Sequence, residues 1–277
     1  MAFRKNIYKS PSELARMIEP GLATAASLQA VRGGIRAGVT TLELDVLAER
    51  TIRALGGVPN FMKEPGYHHT ICTSINDEVV HGIPGGRVIE AGDIVSIDSG
   101  AEIGGWNGDA AFSVVVPDAA RGALVSARQR LSDDTEQSLW HGIAALASAS
   151  HLGEIGAAIE DYLGTRGTYG ILEDYVGHGI GRSMHEEPSV FNYRVRDKGP
   201  QVKPGLVVAI EPMVTLGDID TFVREDGWTV VTTDGSMGAH WEHSVAVHAG
   251  GIWVLTAMDG GAAALAPLGV VPVPISQ

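Results

Sequence analysis

Residues 91–98, AGDIVSID, and residues 204–211, PGLVVAIE, carry one pattern written twice. Gly stands second in each, a short apolar run follows, and a carboxylate closes it. Gly92 matches Gly205, Val95 matches Val208, Ile97 matches Ile210 and Asp98 matches Glu211. HGIPGG, from His81, precedes the first copy, and HGIGRS, from His178, precedes the second. Farther upstream each half holds a helical pattern that ends in Gly, TLELDVLAERTIRALGG and HLGEIGAAIEDYLGTRG. Three matches in the same order point to two related half-domains, about 1–130 and 131–277, within one domain spanning 1–277. The apolar but Gly- and Pro-broken segment from about 260 to 277 reads as an irregular tail.

Local signals fill in the halves. SPSE at Ser10–Glu13 has the form of a capping box with Pro at the first helical position. Leu14, Met17, Ile18, Gly21, Ala25 and Leu28 keep helical spacing, and Pro20 is expected to kink or break that helix. DIVSID, AAFSVVV, GLVVAIEPMV, WTVVTT and HSVAVH read as strands. The expected class is α+β, with a mixed or antiparallel sheet and helices on one face.

Four acids fall where the apolar runs bury the backbone: Asp98, Asp109, Glu211 and Glu242. Any one of them alone reads most simply as a salt-bridged acid at a strand terminus. Together they do not, because Lys and Arg are scarce around these strands and a buried, unpaired carboxylate costs several kcal/mol or gives up its charge. A metal ion removes that penalty. Four carboxylates and one imidazole suit two divalent ions sharing bridging oxygens, as in many hydrolases. GHGIG offers His178 as the imidazole, and Gly177, Gly179 and Gly181 read as a flexible loop around it.

The rest of the composition excludes more than it asserts. A net charge of −13 gives no basic footprint for nucleic acid or an anionic membrane. One cysteine, Cys72, permits no intrachain disulfide and suits a reducing compartment. The start, MAFRKNIYKSPSE, lacks an apolar stretch of the secretory kind, and no segment approaches a membrane span, so a cytoplasmic location is expected.

NDEVVHGIP, IDSGAEIGGWNGDAAFS, VGHGIGRSMHEEPSV, AIEPMV and WEHSVAV resemble, in order and spacing, the motifs of type I methionine aminopeptidases, from about Pro11 to about Val254. The resemblance implies the pita-bread fold, a pseudo-twofold pair of half-domains around a central, mostly antiparallel sheet. It implies a metallo-aminopeptidase that removes the initiator methionine from nascent proteins when the second residue is small. Two divalent ions (Co, Mn, Fe or Zn) would be held by Asp98, Asp109, His178, Glu211 and Glu242. Asp109 and Glu242 would bridge, Asp98 would serve one ion, and His178 and Glu211 the other. His81 and His185 look like the substrate-facing histidines, and Glu211 is the expected proton acceptor. Tyr67, Cys72, Met184 and Trp228 sit at methionine-pocket positions. Met184 stands where the family usually has Phe, and Phe61 is placed to fill part of the pocket. Partners would be peptide or nascent-chain N-termini and, transiently, the ribosome.

Glu211 and Glu242 stand 31 positions apart, too close for the helical insertion of type II enzymes, and a single Cys does not supply the zinc-binding extension of eukaryotic type I enzymes. An X-Pro aminopeptidase or prolidase shares the ligand set but usually carries a large N-terminal domain, for which Asp98 comes too early. A non-catalytic pita-bread binding module typically loses metal ligands, and all five are present here.

Overall fold

A computed structural model describes residues 6–276. Five residues of the amino-terminal segment read above as lacking a secretory signal, residues 1–5, lie outside the described residues, as does Gln277.

A nine-stranded antiparallel sheet forms the centre. Its path runs Val58–Pro59, Ile94–Ile103, Trp106–Val115, Glu242–His248, Val207–Ile210, Gly177–Gly179 and Glu186–Val190; Ile71–Ile75 pairs with Ile94–Ile103, and Gly251–Val254 with Glu242–His248. Two small three-stranded sheets accompany it. One joins Gly238–His240, Met213–Thr215 and Gly170–Ile171; the other joins Thr221–Val223, Val230–Thr232 and Glu78–Val80. The strand read as GLVVAIEPMV is thus two strands of different sheets, separated by Glu211 and Pro212. Pro212 has no N–H to offer a ladder, which ends the first strand there.

The helices Ile18–Gly34 and Gly122–Leu146 both pack on the Trp106–Val115 strand; Thr41–Ala54 lies against the first and Gly153–Arg166 against the second. Leu28, Val31, Leu131, Leu139 and Ile143 from these helices join Ile97, Phe112, Val208 and Ile210 of the sheet in the main core. Ser10 and Glu13 form the capping box read from the sequence, and Thr40 with Glu43 forms a second. The break attributed to Pro20 falls earlier. The first helix ends at Arg16, Met17 links, and Pro20 lies in the first turn of Ile18–Gly34. A proline ring clashes with the carbonyl four residues before it, here Arg16, whereas in a first turn its missing N–H costs nothing.

In the segment read as an irregular tail, Ala262–Leu265 is a short helix, and Ile275 is buried against the Leu14, Met17 and Trp106 cluster. Among the described residues, no helix is long and apolar enough to cross a membrane.

Candidate metal centre

Register builds the site. Across three neighbouring strands, Asp98 stands opposite Ala111, and Ala111 opposite Glu242. Asp109 lies two residues from Ala111 and therefore on the same face of the sheet. The small Ala111 between two acids leaves room above the sheet. Glu211 directly follows Ile210, which pairs with His243 beside Glu242. On the other side Cys72 pairs with Asp98, which sets the Ile71–Ile75 strand next to the acids. Asp98 and Asp109 thus sit inside ten-residue strands rather than at strand ends. The alternation of side chains across the sheet, not the strand terminus, brings them together.

His178 arrives on Gly177–Gly179, and here the flexible-loop reading is corrected. This segment is a strand, pairing with Val207–Ile210 and Glu186–Val190. A Cβ at Gly177 would stand 2.4 Å from the Ala209 carbonyl oxygen, and one at Gly179 2.2 Å from that of Glu187. These glycines permit close approach of neighbouring backbones and hold His178 in place. Glu186 accepts from Lys9 Nζ at 2.9 Å and from the Ser183 N–H at 3.0 Å, which ties down the loop carrying His185.

All the residues singled out in the sequence line one cavity of about 160 Å³. They are the four acids with His178, the histidines His81 and His185, and the apolar group Phe61, Tyr67, Cys72, Met184 and Trp228. Glu64, which the sequence reading passed over, also lines it. The apolar residues form a cluster of their own, with Tyr67 edge-on to Phe61 and Trp228 at centroid distances of 6.4 and 5.0 Å. The Tyr67 hydroxyl donates to the Ile71 carbonyl at 2.7 Å, which fixes that ring. The cavity is small, well below the ~300–1,000 Å³ of drug-sized ligand sites. His81 holds φ at 61°. A bulky residue in the left-handed region stores strain of roughly 1–3 kcal/mol, a feature concentrated at functional sites.

The electrostatics ask for a cation. Asp109 and Glu242 are 3% and 2% exposed, and among the described residues no Lys or Arg forms an ion pair with any of the four acids. Asp98 Oδ1, Asp109 Oδ1 and Glu242 Oε1 are buried without a hydrogen-bond partner. Burial pushes Asp98 and Glu211 up to about 7. It pushes Asp109 and Glu242 well above the usual carboxylate range, and the neighbouring acids add to the effect. Burial also lowers His178, and lowers His81 to about 4, so both rings are neutral at pH 7 and free to offer a nitrogen lone pair.

Donor atoms of Asp109, His178 and Glu242 lie within 4.8 Å of one another, and so do those of Glu211, His240 and Glu242. Glu242 belongs to both groups. Orphaned buried oxygens, neutral imidazoles and donors at this spacing fit a divalent metal centre. His240 was not read from the sequence. Its signal was available, since it stands two residues before Glu242 in an extended segment, on the same face.

The sequence profile of metallopeptidase family M24 matches residues 15–249. A methionine aminopeptidase 1 of Mycobacterium tuberculosis is 46% identical over 256 residues, covering 90% of this chain and 94% of that protein. Its counterpart in Bacillus subtilis is 40% identical over 250 residues, covering 90% and 98%. The crystal structure of a methionine aminopeptidase from Thermotoga maritima superposes with a TM-score of 0.84 at 37% identity, covering 91% of this chain and 98% of that one.

Proposed function

We propose a division of labour among the site residues on the premise that this chain belongs to metallopeptidase family M24. It is a metallo-aminopeptidase that uses divalent metal and releases methionine from the N-terminus of peptides. The observation that carries the reading is the meeting of two unlike groups in one cavity: four acids without Lys or Arg partners, and an apolar cluster about the size of one side chain.

Two ions would be held by Asp98, Asp109, His178, Glu211 and Glu242, with Asp109 and Glu242 shared between them. Cobalt, manganese, iron and zinc all suit one or two imidazoles among carboxylates. When bound, such ions supply positive charge that acidifies an attacking water and polarises the scissile carbonyl. The remaining work belongs to the chain. Tyr67, Cys72, Met184 and Trp228 enclose the first side chain, and the thioether of Met184 adapts to the sulfur of the substrate. Glu211, whose carboxylate lies 3.5 Å from His178 Nε2 in the same cavity, takes a proton from the water whose oxygen bonds to the carbonyl carbon. As the C–N bond breaks, the same carboxyl returns that proton to the leaving amine.

His185 lies against His178, with ring centroids 4.4 Å apart, and faces the substrate carbonyl. His81, edge-on to Trp228 at 6.4 Å, stands beside the scissile bond. The bulk of His81 and Trp228 would leave the residue beyond that bond little space, which favours a small second residue. Nascent proteins in the cytoplasm, met near the ribosome, are the substrates this selectivity suits.

The test is initial rates on matched tripeptides that vary at the first two positions. Met-Ala, Met-Gly and Met-Ser peptides are cleaved, and Met-Lys, Met-Glu and Met-Leu poorly. Norleucine in place of Met changes an apolar pocket contact by about 1–3 kcal/mol, so it is accepted with modest loss. Equal rates for Ala- and Met-initiated peptides, or a preference for proline second whatever comes first, would move the chain to another branch of the family.

A further inference from the structure

His240 has no part in the division of labour above. Its side chain is 1% exposed, and its Nε2 is buried without a hydrogen-bond partner. Leaving such a nitrogen unsatisfied costs about 1–3 kcal/mol, so a partner of some kind is implied. Two elements aim it at the acids. The Gly238–His240 strand pairs with Met213–Thr215, His240 opposite Met213, and thereby lies alongside the segment that carries Glu211. Glu242 follows two residues later on the same face.

We propose that His240 is a sixth protein donor of the metal centre and binds, through Nε2, the ion that Glu211 and Glu242 hold. This rests on the metallopeptidase reading and deepens it. The distances separate ligation from a simple hydrogen bond. His240 Nε2 lies 3.5 Å from Glu211 Oε2, and His178 Nε2 lies 3.5 Å from Glu211 Oε1. That is beyond the ~2.7–3.2 Å of an N–H···O bond. Two donors each about 2.0–2.2 Å from one ion stand roughly 3.0–3.5 Å apart, between octahedral and tetrahedral angles. Glu211 is therefore flanked by an imidazole on each oxygen, at the spacing of ligands around a shared ion. The donor atoms of Glu211, His240 and Glu242 are mutually within 4.8 Å, which places Glu242 beside the same pair.

The consequence is a metal preference. A second imidazole makes the centre more nitrogen-rich. Imidazole suits zinc, copper, iron and nickel, while carboxylate suits manganese and magnesium. His240 should therefore bias this chain away from manganese.

The experiment counts imidazoles. Metal-free protein is loaded with Co(II) to saturation, and its cobalt X-ray absorption is recorded, where imidazole rings give a recognisable scattering pattern. With His178 and His240 both bound across two ions, the average is about one imidazole per cobalt; with His178 alone it is about one per two. This reading needs no substitution. His240→Gln should lower the average by half and weaken Co(II) binding at one step by roughly 10–100-fold, as losses around a metal typically do, while changing Mn(II) binding less. A wild-type average of one imidazole per two cobalts, or an unchanged count in His240→Gln, overturns the assignment. Wild-type protein that binds no divalent ion overturns the metallopeptidase reading beneath it.

Discussion

Removing the metal should make the stability of this protein fall with rising pH above neutrality. For the four acids of the centre the folded-state pKa is raised, so the folded protein keeps protons that the unfolded chain has already lost. That contribution is complete below about pH 4 and is lost as pH rises through the folded values, about 7 for Asp98 and Glu211 and higher for Asp109 and Glu242. The buried histidines work the other way. His81, His178, His185, His240 and His243 are lowered from 6.5, so they disfavour the folded state below that pH and are neutral in both states above it. The two effects oppose each other below about pH 6.5; between pH 7 and 9 the carboxylates dominate, and the buried Cys72 thiol, also pushed up by burial, joins them only toward pH 9. Each proton held by the folded state alone changes stability by about 1.4 kcal/mol per pH unit. For a chain of this size 1 kcal/mol moves the melting temperature by roughly 2–4 °C. One to two retained protons then lower it by roughly 3–11 °C per pH unit. Calorimetric melts of chelator-treated protein at pH 7, 8 and 9 measure this, with metal-loaded protein as the flat reference, because bound cations let all four acids stay ionised. A metal-free melting temperature that is constant or rises across that window would refute the claim that these buried acids lack other positive partners.

Four substitutions probe other links in the account. His81→Ala and His185→Ala should keep their metal yet lose roughly 10²–10⁴ in turnover, the usual worth of general acid–base and oxyanion contacts; loss of metal, measured by elemental analysis, would make that histidine a ligand instead. Gly177→Ala should destabilise the fold by about 1–3 kcal/mol in denaturant titration, since its Cβ would meet the Ala209 carbonyl oxygen at 2.4 Å. Met184→Ala should raise KM for Met-Ala peptides and admit larger first residues, with a thermal penalty of about 2–5 kcal/mol for the emptied pocket wall; an unchanged first-residue profile would remove Met184 from the pocket.

The gathering of these acids was legible because chemistry leaves residue types that composition cannot otherwise explain. Acids inside apolar runs at Asp98, Asp109, Glu211 and Glu242 have few structural reasons to be there. Backbone detail was less legible. Gly177 and Gly179 look alike whether glycine serves freedom or close packing, and only the neighbouring strands decide for packing. The helix break expected from Pro20 is present, at Met17, because a proline acts on the turn before it. His240 escaped because no motif flags it. Its importance comes from facing Glu211 across two strands, a relation that depends on pairing between Gly238–His240 and Met213–Thr215. The pocket wall is contributed by segments as far apart as Phe61, Met184 and Trp228, which no local pattern joins; only the family resemblance pointed to them in the sequence.

The central claim is that hydrolysis depends on divalent ions held by the buried acids. It is tested by stripping the protein of metal, verifying this by elemental analysis, and following the rate on a Met-Ala peptide as Co(II), Mn(II) or Fe(II) is returned in known equivalents. The account predicts no turnover in the stripped protein, recovery in step with bound metal, and no recovery in Asp109→Ala, which loses a carboxylate shared by both ions. Full activity in verified metal-free protein, or an Asp109→Ala protein that binds metal and turns over like wild type, would contradict it.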